Sequence, residues 1–375
     1  MTEATPWVIL ERHVDEGVGA NENLEYPRHQ CVLINMATKI GFLSFGHWMD
    51  VPGSQVRTAS EVLHQAIDLA VGAEEVGIDG AYFRVHHFAQ QHSAPFPLLS
   101  AIGARTSKIE LGTGVIDMRY ENPLYMAEDA AVADLIADGR LQLGVSRGSP
   151  ESVIAGYRAF GHVPDDGDTD GADMARHATD IFLRAIDGAG VANPDPRRSH
   201  SVDAQPVMPQ SPGLRDRIWW GAGSRKTAVW AAEQGVNLMS STLLTEDTGA
   251  EMGDAQAEQI RQFREAWREA GHARTPRVSV SRSIIPIIDD ESRRYFGVRA
   301  QAESVDQVGY IDVGEIARFG RSYIGEPDAL VEQLRQDAAV QEADTVLVTV
   351  PNALGVDFNL RQLDVISREI RPALG

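Results

Sequence analysis

From Lys39 to the C-terminus, eight apolar runs of strand length alternate with helical patterns, and this alternation constrains the fold more than any other feature. The runs fall near 39–45, 80–85, 109–115, 141–146, 217–221, 236–240, 278–288 and 344–350. Such alternation is the signature of βαβ units around a parallel sheet. A doubly wound open sheet competes, but eight units fit an α/β fold of the (β/α)8 TIM-barrel class better. The helix expected over about 59–76 carries Val62, Ala66, Leu69, Ala70, Ala73 and Val76 on one face, with Gly77 as its stop. Another begins at Pro123, whose missing N–H costs nothing in a first turn, and repeats Leu124, Ala127, Ala131 and Leu135. A third starts at 325–328 and aligns Leu330, Val331, Leu334 and Ala338.

Three stretches interrupt the rhythm, at 150–170, 187–216 and 289–322; they are rich in Pro, Gly, Asp or Arg and mostly lack periodicity. The first and third follow the fourth and seventh strands, which makes them loop insertions at the C-terminal face of a barrel, where active sites form. Residues 1–36 do not share the pattern and carry no signal-peptide features. They read as an N-terminal extension, expected to be poorly ordered, ahead of a barrel spanning 37–375; Met36 resembles a natural start.

Lys and Arg number 34 against 54 Asp and Glu, a net charge of −20, which argues against an extended nucleic-acid or anionic-membrane surface. Any phosphate must therefore be held by local groups. The single cysteine, Cys31, allows neither an internal disulfide nor a zinc-thiolate cluster, and no apolar run reaches membrane-spanning length, so a cytoplasmic location is expected.

Four segments could carry chemistry. The fourth strand ends Ser146-Arg147-Gly148, where a guanidinium could clamp an anion or simply pair with a carboxylate. The fifth runs through Trp219-Trp220-Gly221-Ala222-Gly223-Ser224-Arg225-Lys226-Thr227 into a helix whose first turn offers free N–H donors, two hydroxyls and two cations. That is a phosphate cradle by mechanism, or an ordinary serine N-cap. In the third, Gly112 and Gly114 interrupt a buried strand, as a flat ring lying against the backbone or tight barrel packing would require. The second ends in His86-His87, with His92 beyond; imidazoles there could exchange protons or only hydrogen-bond neighbouring loops, and their spacing is unlike that of a metal site. Phe45, Trp48, Trp219 and Trp220 are either cavity lining or core.

In their order and spacing these segments resemble the bacterial luciferase-like family of flavin-dependent monooxygenases and oxidoreductases. The matching pieces are Glu75-Val-Gly-Ile-Asp79, His86-His87-Phe88, Pro95-Phe-Pro-Leu-Leu99, Arg105 to Gly114, Asn122 to Gly148, Gly223-Ser-x-x-Thr227 and Gly325-x-Pro327. The resemblance implies a monooxygenase that uses reduced FMN from a separate flavin reductase, with O2, to oxygenate a small organic molecule. It also implies His86 as the catalytic histidine, Arg147, Gly223, Ser224 and Thr227 at the flavin phosphate, Gly114-Val115 as a cis-bonded bulge under the ring, and a homodimer. Val85 stands where the family has a glutamate and Ser146 where luciferase has a cysteine. The alternatives are an F420-dependent enzyme transferring hydride, or a flavin-binding protein without turnover. No nicotinamide fingerprint is present, since Gly221-Ala-Gly223-Ser-Arg-Lys lacks the third glycine.

Overall fold

All eight expected strands form, and each runs parallel to its neighbours. The structure, a computed structural model, describes residues 38–148, 151–246, 249–303, 305–312 and 315–375; the expected extension 1–36 lies outside them. In chain order the barrel strands are Lys39–Ser44, Gly80–Phe83, Glu110–Thr113, Leu141–Ser146, Ile218–Ala222, Asn237–Ser240, Val278–Pro286 and Thr345–Val350. The ring closes through the eighth strand, which pairs with the first (Lys39 opposite Thr345) and with the seventh (Thr345 opposite Ser279).

Successive side chains on a strand point to opposite faces, so each strand serves two layers. Ile40 and Phe42 face the helices, whereas Leu43 joins Tyr82, Trp219, Met239 and Leu347 in a cluster inside the barrel. Each such burial stabilises the fold by about 1.5–3 kcal/mol. Beneath the inner cluster, Arg277 donates twice to Glu110 (2.9 and 3.0 Å), Lys39 adds a 2.5 Å bond, and Trp219 Nε1 donates to Gln142 at 2.8 Å. This network closes the N-terminal end. The ring of Tyr82 leaves no room for a β-carbon at Gly112, which would lie 2.5 Å from it and 2.4 Å from the Gln142 carbonyl. Tight packing, not a ligand, therefore requires that glycine.

The helix Ala59–Glu75 has the expected buried face, and Gly77 ends it at φ +84°. Helix Pro123–Ile136 is capped by Asn122, whose side chain accepts from the N–H groups of Leu124 and Tyr125. Leu135, expected in its buried stripe, is instead 45% exposed. The stretch 289–322 is more regular than its sequence suggests. It holds helices Asp290–Phe296 and Arg299–Ala302 and an antiparallel pair, Gln307–Asp312 with Glu315–Phe319. The pair adds Leu243–Leu244 as a third strand. These pieces are too short for a periodicity window to register. Among the described residues no helix is long and apolar enough to cross a membrane.

Candidate active site

A cavity of about 340 Å³ opens at the C-terminal ends of the strands, over the inner cluster, with Leu43 and Met239 in its floor. Its size and mixed lining suit a small-molecule or cofactor site. His86, Gly114, Val115, Arg147, Gly223, Ser224 and Thr227, singled out from four separate segments of sequence, all line it. Phe45 and Trp220 line it as well. Trp219 fills the barrel interior instead, and His87 lies beside the cavity, stacked on Tyr120 with ring centroids 4.2 Å apart.

The third strand stops at Thr113, the Gly114–Val115 peptide is cis, and the chain resumes at Ile116–Asp117 against the fourth strand. A β-carbon at Gly114 would lie 2.9 Å from Leu43. The bulge thus brings bare backbone to the cavity wall.

The two anion-binding groups hold carboxylates. Arg147 Nη1 donates to Asp170 Oδ2, realising the ion-pair reading of that arginine. At the fifth strand, Ser224 caps helix Arg225–Glu233: its hydroxyl accepts from Thr227 N, and the Thr227 hydroxyl lies 3.0 Å from it. The backbone N–H and the Nε of Arg225 both donate to Glu246 Oε2, at 3.0 and 3.1 Å. Each group therefore has the field and donor geometry to take an oxyanion. The serine-cap reading is realised, and the carboxylate at this helix end is held by Arg225, not by the two hydroxyls.

Gly148, at φ +86°, is needed because a β-carbon would lie 2.0 Å from the Asp117 carboxylate, itself held by Arg119 at 2.7 Å. His86 is 9% exposed, and its backbone N–H donates to the His92 carbonyl at 2.8 Å. Burial, then repulsion from Arg84, His87 and His47, lowers its pKa to about 4. At neutral pH it is an uncharged base.

Sequence reasoning missed the acids that complete the site. Glu151, whose side chain is 6% exposed, accepts the Tyr120 hydroxyl at 2.5 Å and the His87 N–H at 3.2 Å, and lies 3.8 Å from His86 Nδ1. Asp170 and Glu246 were equally unannounced. All three sit in irregular segments, where spacing carries no register; the unusual length of 150–170 pointed to Glu151 and Asp170, and no signal pointed to Glu246.

The fold is a parallel eight-stranded barrel with a cavity at the C-terminal ends of its strands, the face on which barrels of this class carry their sites. The chain belongs to the luciferase-like monooxygenase family, whose model matches residues 41–344. It is 24% identical over 248 residues to the uncharacterised protein YwcH of Bacillus subtilis, covering 66% of this chain and 69% of that one. A shorter match, 39% over 101 residues, is to an F420-dependent glucose-6-phosphate dehydrogenase of Nocardia farcinica, covering 25% and 30%. Among solved structures, monooxygenase RslO1 of Streptomyces bottropensis has a TM-score of 0.67 at 18% identity, covering 90% of this chain and all of that one. The oxygenating constituent of 3,6-diketocamphane monooxygenase from Pseudomonas putida, in complex with FMN, has a TM-score of 0.63 at 19% identity, covering 90% and 99%.

Proposed function

We propose that the chain is a monooxygenase that takes reduced FMN from a separate flavin reductase and, with O2, oxygenates a small organic molecule. One observation carries the reading: all seven residues singled out for a flavin site line one cavity, with the Gly114–Val115 bulge in its wall. The 3,6-diketocamphane enzyme, an oxygenating constituent that binds FMN, supports the two-component arrangement.

The residues present fit the cofactor. The Arg147 guanidinium and the N-terminus of helix Arg225–Glu233 already bind carboxylates, the chemistry a phosphate monoester would present. Arg147, Gly223, Ser224 and Thr227 would hold the phosphate, displacing Asp170 and Glu246, and Gly114-Val115 would support the ring. Reduced FMN supplies the electrons that activate O2. His86, neutral and lining the same cavity as the bulge, would accept or return a proton in that cavity. The segment after the fourth strand lines the cavity through Glu151 and Ala172 and would help to exclude water; the loop after the seventh strand, expected to share that role, contributes no residue to the lining. The chain is taken to work in the cytoplasm as a homodimer, and helix Pro123–Ile136 offers an apolar face for it, with Tyr125, Val132, Leu135 and Ile136 exposed.

Oxygen consumption and product formation with reduced FMN test the reading. The wild type should turn over substrate and His86→Ala should lose at least tenfold; a wild type no faster than the variant indicates a flavin-binding protein. F420-dependent hydride transfer is the second reading, favoured by the Nocardia farcinica relative. Tighter binding of F420 than of FMN would select it.

A further inference from the structure

We propose that Glu151 is a positioning residue for His86, its carboxylate standing in for the glutamate that the family motif places at Val85. The inference rests on the reading of His86 as the catalytic acid or base. Val85 is 5% exposed and can neither accept a hydrogen bond nor carry charge. Glu151 reaches the same strand end from the loop after the fourth strand, with Oε1 3.8 Å from His86 Nδ1.

Both Glu151 oxygens are held. Oε1 accepts the His87 backbone N–H at 3.2 Å and Oε2 accepts the Tyr120 hydroxyl at 2.5 Å. Burial and then the neighbouring Glu151 raise the Tyr120 pKa, so that hydroxyl keeps its proton and remains a donor. Tyr120 is fixed in turn by rings packed on it, including His87 and Phe160 at 4.2 and 5.3 Å. Among the described residues no arginine or lysine lies within ion-pair distance of Glu151; the imidazoles beside it are His86, with Nδ1 at 3.8 Å, and His87, whose protonation it favours. A buried carboxylate is costly unless hydrogen-bonded or paired, so this placement beside an imidazole is selective.

Among the described residues, the charged and titratable groups facing His86 come from three places in the fold. Arg84 and His87 flank it on its own strand end, and His47 approaches from the loop after the first strand; all three disfavour its protonation. Glu151, from the loop after the fourth strand, opposes them. Its carboxylate favours a proton on Nδ1, leaving Nε2 as the basic nitrogen, and stabilises the imidazolium formed when that nitrogen takes a proton. The role is electrostatic and orienting, without contact to substrate.

The test is nitrogen NMR of the full chain labelled with 15N-histidine, without cofactor, at neutral pH, with the His86 signals assigned by their loss in His86→Ala. The wild type should show His86 protonated at Nδ1. Glu151→Gln, which keeps the shape and the Tyr120 partner, should shift it towards the Nε2 tautomer and lower kcat about tenfold or more with KM unchanged. Glu151→Asp should restore the tautomer. A His86 tautomer identical in wild type and Glu151→Gln overturns the proposal, as does a Glu151→Asp variant that behaves like Glu151→Gln. Full activity in His86→Ala would instead contradict the catalytic reading of His86, and the tautomer comparison would still report the coupling.

Discussion

Arg147 shows how much one residue can carry. Its place after a buried strand allowed two readings, a carboxylate pair or a phosphate clamp. The structure shows the pair, while its position on the cavity beside Ser224 and Thr227 supports the clamp. Both follow if Asp170 holds the guanidinium until a phosphate replaces it. Arg147→Ala should weaken reduced-FMN binding about 10- to 100-fold, the loss of one or two charge-assisted hydrogen bonds. Asp170→Asn should act oppositely, tightening binding of FMN or inorganic phosphate by removing a competing anion; isothermal titration measures both. Glycine, arginine and paired histidine positions were legible because each backbone or charge requirement admits few residue types. Glu151 was not, because a glutamate in a loop is ordinarily solvated surface.

At the scale of elements, all eight barrel strands were legible, since a buried parallel strand reads as a continuous apolar run bounded by turn residues. The short helices and the antiparallel pair after the seventh strand were not, because four to seven residues are too few to set a period. The same region holds an element joint that sequence does not announce. Arg282 of the seventh strand pairs with Asp337 at 2.7 Å, with side chains only 4% and 3% exposed. Asp337 also accepts from Tyr323 and caps helix Ala338–Glu342. Burial alone would raise its pKa, but the Arg282 bonds outweigh that and hold it below the ordinary carboxylate value. Asp337→Ala should cost about 3–5 kcal/mol by urea denaturation, because it strands a buried guanidinium and removes a cap. A loss under 1 kcal/mol would show the joint to be dispensable.

Over the whole molecule, stability should respond to pH through buried histidines. Burial first, then neighbouring positive groups, lowers the folded-state pKa of both His86 and His92 to about 4, against about 6.5 when unfolded. Between those values the unfolded chain binds more protons, so stability is complete above pH 6.5 and falls towards pH 4 by at most about 3 kcal/mol per histidine. The Asp337 contribution, with its depressed pKa, is lost only below about pH 4, so the two windows separate. His92, 3% exposed and with neither ring nitrogen hydrogen-bonded among the described residues, is the cleaner probe. His92→Phe should flatten about half of the decline between pH 7.5 and 5 in denaturant titrations. The exposed apolar face of helix Pro123–Ile136 predicts a dimer of this 40.9 kDa chain by light scattering, broken by Leu135→Glu; a monomeric wild type contradicts it. The most direct test of the central claim is an anaerobic equilibrium titration of wild type and Arg147→Ala with reduced FMN and with F420. Reduced FMN should bind the wild type more tightly than F420 does and lose at least tenfold in affinity in the variant. Equal affinity for the two proteins, or a preference for F420, would contradict the account.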